Sequence, residues 1–433
     1  MTRIYTSELP HHVGQTVALS GWLHRLRRLR QVSFLILRDR TGFAQIVIED
    51  PAVVALVDQL PLESVLHVSG IVESVEQAPQ GVEIHHPTVS VISAASEPPA
   101  FDLFRPVIKA QLPTQLDHAP VALRHPRLSS TWKLAASAMA GFREALTREQ
   151  FTEIQTPKIV ASATESGANV FSLDYFGTPA YLAQSPQFYK QIMVGVYERV
   201  FEVGPVFRAE PHATTRHLAQ YTSLDAEMGF IEDHRTVMHL LTQVIGGMLA
   251  RIQRENAAAL AQLVVELPHV PAEIPSIHFR EAHTRYFEAT GEDVRGEPDL
   301  SPAQERWLGE WAQQEYGSAF LFVTGYPMVK RPFYTHPDPA QPAYSNSFDL
   351  LFRGVELVTG GQRLHRYEDY RHALEQRGLS AAPFEEYLQA FKHGMPPHGG
   401  FAIGLERFVA QLIGAKNVRE VALFPRDMTR LTP

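Results

Sequence analysis

A chain of 433 residues, 45% hydrophobic and 20% charged, is too apolar for disorder, too mixed for a membrane protein and long enough for two or three domains. The absence of cysteine excludes disulfides, thiolate catalysis, iron–sulfur clusters and cysteine-held zinc, while histidine and the carboxylates remain available to a metal. A formal net charge of −8 argues against indiscriminate nucleic-acid binding, so any such partner must meet a local basic patch.

No stretch reaches the apolar length of a membrane helix. Residues 1–10 lack the basic and apolar regions of a secretion signal, so the expected address is cytoplasmic. The basic patch comes next in the chain. Between Trp22 and Arg40 six arginines (Arg25, Arg27, Arg28, Arg30, Arg38 and Arg40) face one acid, Asp39, a local balance of +5 that points to polyanion contact. Short strands are predicted over 17–23, 33–38, 44–49, 65–75 and 83–92, with a tight turn at Asp39-Arg40-Thr41-Gly42. Five short strands in about 100 residues suggest a small barrel of the oligonucleotide-binding (OB) kind. Phe34 starts a strand inside the arginine cluster. It either stacks on an unpaired base or belongs to the core, and pattern alone leaves both open.

The proline-punctuated stretch 97–125 has little periodicity and reads as a hinge. The division expected is therefore 1–100 for the barrel, 101–125 for the hinge and 126–433 for one large domain. In the last, a helix is predicted over 132–149, followed by an extended run ending at Thr156-Pro157-Lys158-Ile159. A second helix begins at Ser185-Pro186, where serine caps and proline fits the first turn, and it carries Lys190. Strands are predicted over 200–207 and 220–230 around a polar loop. In the second strand Tyr221, Ser223, Asp225 and Glu227 share one face, and Leu224, Ala226 and Met228 the other. A half-exposed sheet alternates in the same way, but the loop adds Arg208, Glu210, His212, Arg216 and His217 at one end. An anionic ligand with a metal fits that cluster. Glu356, Thr359 and Arg363 flank Gly360-Gly361, and the segment from His398 to Arg407 reads as a glycine-flanked strand entering a helix.

In this order the segments resemble the signature motifs of class II aminoacyl-tRNA synthetases. Thr156-Pro157-Lys158-Ile159 resembles motif 1, Phe207-Arg208-Ala209-Glu210 through Glu227 motif 2, and Gly404-Leu405-Glu406-Arg407 motif 3. The segments Ala163 to Gly167, Gln184 to Lys190, Thr214 to Leu218 and Leu423 to Asp427 are similar to aspartyl-tRNA synthetases of the archaeal and eukaryotic type. The resemblance covers essentially the whole chain. About 130 residues separate Glu227 from Glu356, which leaves no room for the large inserted domain of the common bacterial form. It implies a mixed α/β (α+β) architecture: an N-terminal OB-fold β-barrel that binds the anticodon, then a catalytic domain with an antiparallel sheet flanked by helices, dimerised through motif 1.

The resemblance also implies the chemistry: aspartate attacks the α-phosphate of ATP, and a ribose hydroxyl of the terminal adenosine of tRNA then takes the aspartyl group. All nucleophiles are substrate groups, so the protein supplies alignment and charge neutralisation. By family match Arg208 meets the α-phosphate and the aspartate carboxylate, and Arg407 the γ-phosphate. Ala209, Glu210, Arg216, His217, Leu218, Gly404, Leu405 and Glu406 belong to the ATP site, and Tyr221 stacks on adenine. Glu356 and Thr359 bind Mg2+. For aspartate, Lys190 and Arg363 pair with the β-carboxylate, leaving uncompensated positive charge if asparagine enters. Glu165, Ser185, Gln187 and Asp225 suit the α-ammonium and its surroundings, and Phe188, Tyr189 and Thr359 complete the pocket.

On the anticodon side, Phe34 is matched to a base-stacking position, Gln45 to an edge reader, and Arg27 and Glu83 to neighbouring contacts. His24 and Pro79 stand where relatives that reject tRNA-Asn carry Trp and Lys, so the resemblance implies charging of both tRNA-Asp and tRNA-Asn. Amidation by a separate amidotransferase must then follow. Alternatives are a discriminating aspartyl-tRNA synthetase, an asparaginyl-tRNA synthetase, a tRNA-independent asparagine synthetase and a non-catalytic OB-fold binder. Lys190 speaks against the second, the barrel against the third, and the set Arg208, Glu356, Arg363 and Arg407 against the last.

Overall fold

A computed structural model describes residues 2–30, 32–161, 170–211 and 214–432. The chain divides into two compact units, 1–128 and 129–433.

The first unit is built on β1 (Thr16–Arg28), β2 (Ser33–Arg38), β3 (Phe43–Ile48), α1 (Pro51–Asp58), β4 (Val65–Ser74) and β5 (Val82–Ser93). The strands close into a barrel in the order β1-β2-β3-β5-β4. Alternation decides what goes inside: Leu35 and Leu37 of β2 join Leu19, Leu23, Ile46, Leu66, Val68 and Ile84 in the core, while Phe34, Ile36 and Arg38 face out. The 39–42 turn forms because the Asp39 carboxylate accepts the backbone N–H groups of Thr41 and Gly42. Two elements depart from expectation. A bulge between Leu23 and Arg25 lets β1 run on to Arg28, so most of the arginine-rich segment is strand rather than loop. Helix α1 was not anticipated, although Asp50 caps it and Pro51 opens it. The expected hinge contains two short proline-initiated helices, α2 (Leu112–Asp117) and α3 (Ala119–Ala122), and falls within the first unit.

The second unit begins three residues into α4 (Pro126–Arg148) and runs through β6 (Thr152–Glu153), β7 (Ile159–Val160), β8 (Ser172–Tyr175), β9 (Thr178–Leu182), α5 (Gln187–Tyr197), β10 (Arg199–Phe207) and β11 (Gln220–Gly229). It continues through α6 (His234–Glu255), α7 (Ala257–Leu263), β12 (Ser276–His278), α8 (Phe279–Thr290), α9 (Pro302–Tyr316), β13 (Phe320–Thr324), β14 (Ser347–Phe352) and β15 (Val355–Arg363). The last elements are α10 (Tyr367–Gln376), α11 (Glu385–Lys392), β16 (His398–Gly404) and α12 (Leu405–Ile413). Eight strands form one sheet, ordered β12-β13-β14-β15-β16-β11-β10-β6 and antiparallel from β13 to β10. Helices α4 and α6 bury Leu134, Ala138, Phe142, Leu146, Val237, Leu241, Val244, Met248 and Ile252 in the core. These recur at helical spacing. Leu224, Ala226 and Met228 of β11 enter the same core. The opposite face of β11 is thereby left for polar side chains.

Candidate active site

Strand β11 carries the site. Its polar face presents Tyr221, Ser223, Asp225 and Glu227 in order, each about 7 Å from the next. Tyr221 and Ser223 line a cavity with Arg208, Glu210, Arg216, His217, Leu218, Glu356, Thr359, Gly404, Glu406 and Arg407. The expected ATP residues thus converge, apart from two. Leu405 is 1% exposed in the main core, because the residue after Gly404 turns inward as α12 begins, and Ala209 does not line the cavity. Leu357, Ala402 and Val418 line it unexpectedly.

A bulge arranges the acidic edge. Leu350 pairs with Val358 and Leu351 with Glu356, so Leu357 is an inserted residue. In a regular strand positions 356 and 359 point to opposite faces. The insertion brings them together, and Thr359 Oγ1 donates to Glu356 Oε1 at 3.3 Å. Arg407 donates to the Glu356 backbone oxygen at 3.0 Å. Asp349 pairs with Thr359 across the strands and ion-pairs with Arg331 at 3.0 Å. Burial pushes its carboxyl up to about 6 against the pull of Arg331, and Glu356 adds to the rise. Two carboxylates and a hydroxyl are hard oxygen donors, suited to Mg2+ that takes its remaining ligands from phosphate and water. Among the described residues no group of three or more His, Asp or Glu side chains forms a metal cluster by itself.

The 208–219 loop is tied to the C-terminal segment. The Ala219 N–H donates to the Arg426 oxygen at 2.7 Å, and Val418 N–H to the Thr215 oxygen at 2.9 Å. Glu305 of α9, which nothing in the sequence singled out, accepts from the Glu356 N–H at 3.2 Å and from Arg216 at 3.4 Å. Burial lowers the affinity of His217 for a proton, and Arg407 reinforces this despite Glu210. Motifs 2 and 3 meet where the Thr222 N–H donates to both Glu406 carboxylate oxygens at 3.0 Å.

Further along β11 lies a buried cluster of charged side chains. Gln187 and Lys190 lie three residues apart on one face of α5, and Ser185 Oγ accepts the Gln187 N–H. Lys190, 1% exposed, donates to Asp225 at 3.0 Å and to the Phe401 oxygen at 3.2 Å, and lies 3.2 Å from Glu227. Arg363 donates to Glu227 at 2.9 Å and to the Gly400 oxygen at 3.1 Å. Gly400 must lack a side chain here, since a Cβ would lie 2.2 Å from Glu227 Oε2. Burial opposes the charge on Arg363, yet Glu227 more than offsets it and raises its pKa. Two anions therefore balance the two cations. This corrects the expectation that asparagine would leave positive charge uncompensated: bare buried cations are too unfavourable, and the chain neutralises its own. Asp225 accordingly binds Lys190 rather than standing apart for an α-ammonium.

Phe188 and Tyr189 contribute to other surroundings than this cluster. Phe188 stacks on Tyr387 at 4.3 Å in a satellite core, and Tyr189 feels Glu386 of α11. Glu165 and His212 lie outside the described residues.

In the barrel, Phe34 stays out of the core and sits opposite Arg27, whose guanidinium is 5.7 Å from the ring. Gln45 donates to Glu83 at 2.8 Å. His24 is only 5% exposed, its ring 4.9 Å from that of Phe43. Pro79 is exposed, and its neighbour Gln80 donates to the Phe43 oxygen at 3.1 Å. The two positions converge on Phe43, with His24 beneath the surface.

Comparison with known proteins fits this geometry. The family model for tRNA synthetases class II (D, K and N) matches residues 111–428, and that for the OB-fold nucleic acid binding domain matches 17–92. The Aspartate--tRNA(Asp/Asn) ligase of Thermus thermophilus is 45% identical over 432 residues, 100% of each chain. The protein of the same name from Deinococcus radiodurans is 46% identical over 439 residues, 100% of this chain and 99% of that one. Among solved structures, asparaginyl-tRNA synthetase from Pyrococcus horikoshii complexed with asparaginyl-adenylate is 30% identical with a TM-score of 0.93 over 100% of both chains. The chain therefore belongs to the class II tRNA synthetases and, within them, to the aspartate–tRNA ligases.

Proposed function

We propose that the protein joins L-aspartate to tRNA-Asp and tRNA-Asn in two steps, with aspartyl-adenylate and pyrophosphate as products of the first and AMP released in the second. The observation that carries this reading is the order along one face of β11: Tyr221 and Ser223 in the basic cavity, then Asp225 and Glu227 holding Lys190 and Arg363. A nucleotide and a small acid placed along that face meet between the cavity and the charged cluster. Arg208 neutralises the α-phosphate there, Arg407 holds the γ-phosphate, and Tyr221 takes the adenine. Glu356 and Thr359, with Asp349 behind them, would hold Mg2+, which when bound would offset negative charge on the phosphates.

Aspartate is favoured over asparagine by donor matching. Lys190 and Arg363 carry only N–H donors, a carboxylate offers them two acceptors, and an amide offers one acceptor and a donor that clashes. The barrel receives the anticodon on the face bearing Arg27, Phe34 and Gln45. Dual tRNA use is supported by the names of the two relatives and by Pro79, whose missing ammonium leaves either pyrimidine room. An amidotransferase then converts aspartyl-tRNA-Asn, and the working form is a homodimer in the cytoplasm. The layout is an anticodon barrel over 1–100, a connecting segment over 101–125 and a catalytic domain over 126–433.

ATP–pyrophosphate exchange with aspartate and with asparagine tests the first step. Exchange is expected with aspartate alone, and Lys190→Met should abolish the preference. Unchanged selectivity in that variant refutes the pocket assignment. Aspartylation of purified tRNA-Asn transcript tests dual use, and an efficiency orders of magnitude below that for tRNA-Asp refutes it.

A further inference from the structure

Behind Gln187 and Arg363 lies a buried polar network that none of the three motifs announces. Gln191, one helical turn past Gln187, is fully buried, and Tyr370 of α10, Tyr387 of α11 and His398 of β16 surround it at 5% exposure or less. We propose that Gln191 is a positioning residue for amino-acid selectivity, acting through Gln187 to hold the Arg363 guanidinium in one orientation toward the substrate side chain. This rests on the aspartate reading given above.

The direction of every bond follows from one fixed point. The Pro396 oxygen only accepts, so His398 Nδ1, 2.9 Å away, carries the proton. Burial drives this imidazole down to about 4 despite the attraction of Glu227, so His398 stays neutral and its Nε2 accepts. Gln191 Nε2 donates to it at 2.9 Å and to the Tyr370 hydroxyl at 3.0 Å. Gln191 Oε1 must then face the other way, where it accepts from Tyr387 and from Gln187 Nε2, each at 3.0 Å. With its nitrogen so committed, Gln187 turns its oxygen to Arg363 Nη2 at 3.4 Å. Glu227 and the Gly400 oxygen hold the guanidinium from two further sides.

Gln191 is thus a hub whose four amide positions are all satisfied, and reversing its amide is forbidden by His398. The helical end is anchored independently: the Tyr370 hydroxyl donates to the Leu364 oxygen at 2.8 Å, and its ring lies 4.2 Å from that of Phe391. Selectivity needs this rigidity. A carboxylate and an amide differ only in donors and acceptors, so a guanidinium free to swing accommodates the amide oxygen and loses discrimination.

The test is ATP–pyrophosphate exchange by the full chain, with Gln191→Leu, which keeps the volume without polar atoms, and Tyr387→Phe, which removes one hydroxyl. Gln191→Leu is expected to raise KM for aspartate about tenfold, leave KM for ATP within about twofold, and lower the aspartate-over-asparagine ratio about tenfold. Tyr387→Phe should act in the same direction by about threefold. Aspartate KM and selectivity unchanged, or both KM values rising together, overturns the proposal. If Gln191→Leu fails to fold, Tyr387→Phe decides it alone. A parent chain without aspartate-dependent exchange refutes the functional reading itself, whereas an active parent with indifferent variants refutes only the role of Gln191.

Discussion

Glu406 joins motif 3 to motif 2 at the price of a displaced ionisation. It is 6% exposed, and burial pushes its carboxyl from the ordinary 4.5 to about 7, even though the Thr222 N–H donates to both oxygens. The folded-state value lies above the unfolded one, so the folded protein holds a proton that the unfolded chain has already lost. Stability therefore falls as pH rises from the unfolded value through the folded one, and the full penalty is present above about pH 7. A shift of this size corresponds to about 3 kcal/mol in the free protein. Glutamine keeps an oxygen acceptor for Thr222 and has nothing to ionise. Glu406→Gln should consequently lose this pH dependence. For a unit of roughly 300 residues, about 3 kcal/mol corresponds to about 5 °C in Tm, most of it developing between pH 5 and 8. Thermal unfolding followed by circular dichroism, parent against variant in the absence of ATP, measures it. The variant should match the parent near pH 5 and exceed it by about 4 °C at pH 8. A Tm difference that stays constant over this range refutes the raised pKa and the account of the buried junction that produces it.

Phe34→Ala should weaken tRNA binding by about one to two powers of ten, since base stacking is worth roughly 1 to 3 kcal/mol, while aspartate-dependent pyrophosphate exchange stays at the parent rate. Equal loss in both assays contradicts a surface role for the ring. Pro79→Lys should shift charging toward tRNA-Asp without changing exchange, and an unaltered ratio of the two aminoacylation efficiencies counts against that position. Tryptophan at position 24 is a poorer test, because the buried His24 site is overpacked by the larger ring. Glu202, 1% exposed, accepts from Lys158 at 2.7 Å and from Thr156 at 2.7 Å. Glu202→Leu should destabilise the protein by about 3 kcal/mol and lower Tm by roughly 5 °C, and a Tm within about 1 °C of the parent shows the motif 1 ion pair to be dispensable.

Local rules determined much of this protein from the sequence alone. Period-two alternation placed the barrel strands, because a strand with one buried face cannot slip by a residue without exposing its core, and it separated the polar from the apolar side chains of β11, although that strand is buried on both faces from Ser223 to Gly229. Asp39 and Gly42 announced their turn, and the motif residues that the sequence grouped together line one cavity, because their chemistry is carried by side-chain type and spacing. Distance along the chain hid the rest. Counting outward from the Arg353-Gly354 turn sets Asp349 opposite Val358, and the bulge at Leu357 that places it opposite Thr359 and brings Glu356 and Thr359 to one face has no signature in composition or periodicity. Neither the neutralisation of Lys190 and Arg363 by Asp225 and Glu227, nor the ring of Tyr370, Tyr387 and His398 around Gln191, was visible, since partners up to 207 residues apart meet only when the sheet is assembled. The sequence names the charged groups that a site contains. Only the fold decides which of them cancel, because the cost of burying a charge depends on what the tertiary structure brings beside it.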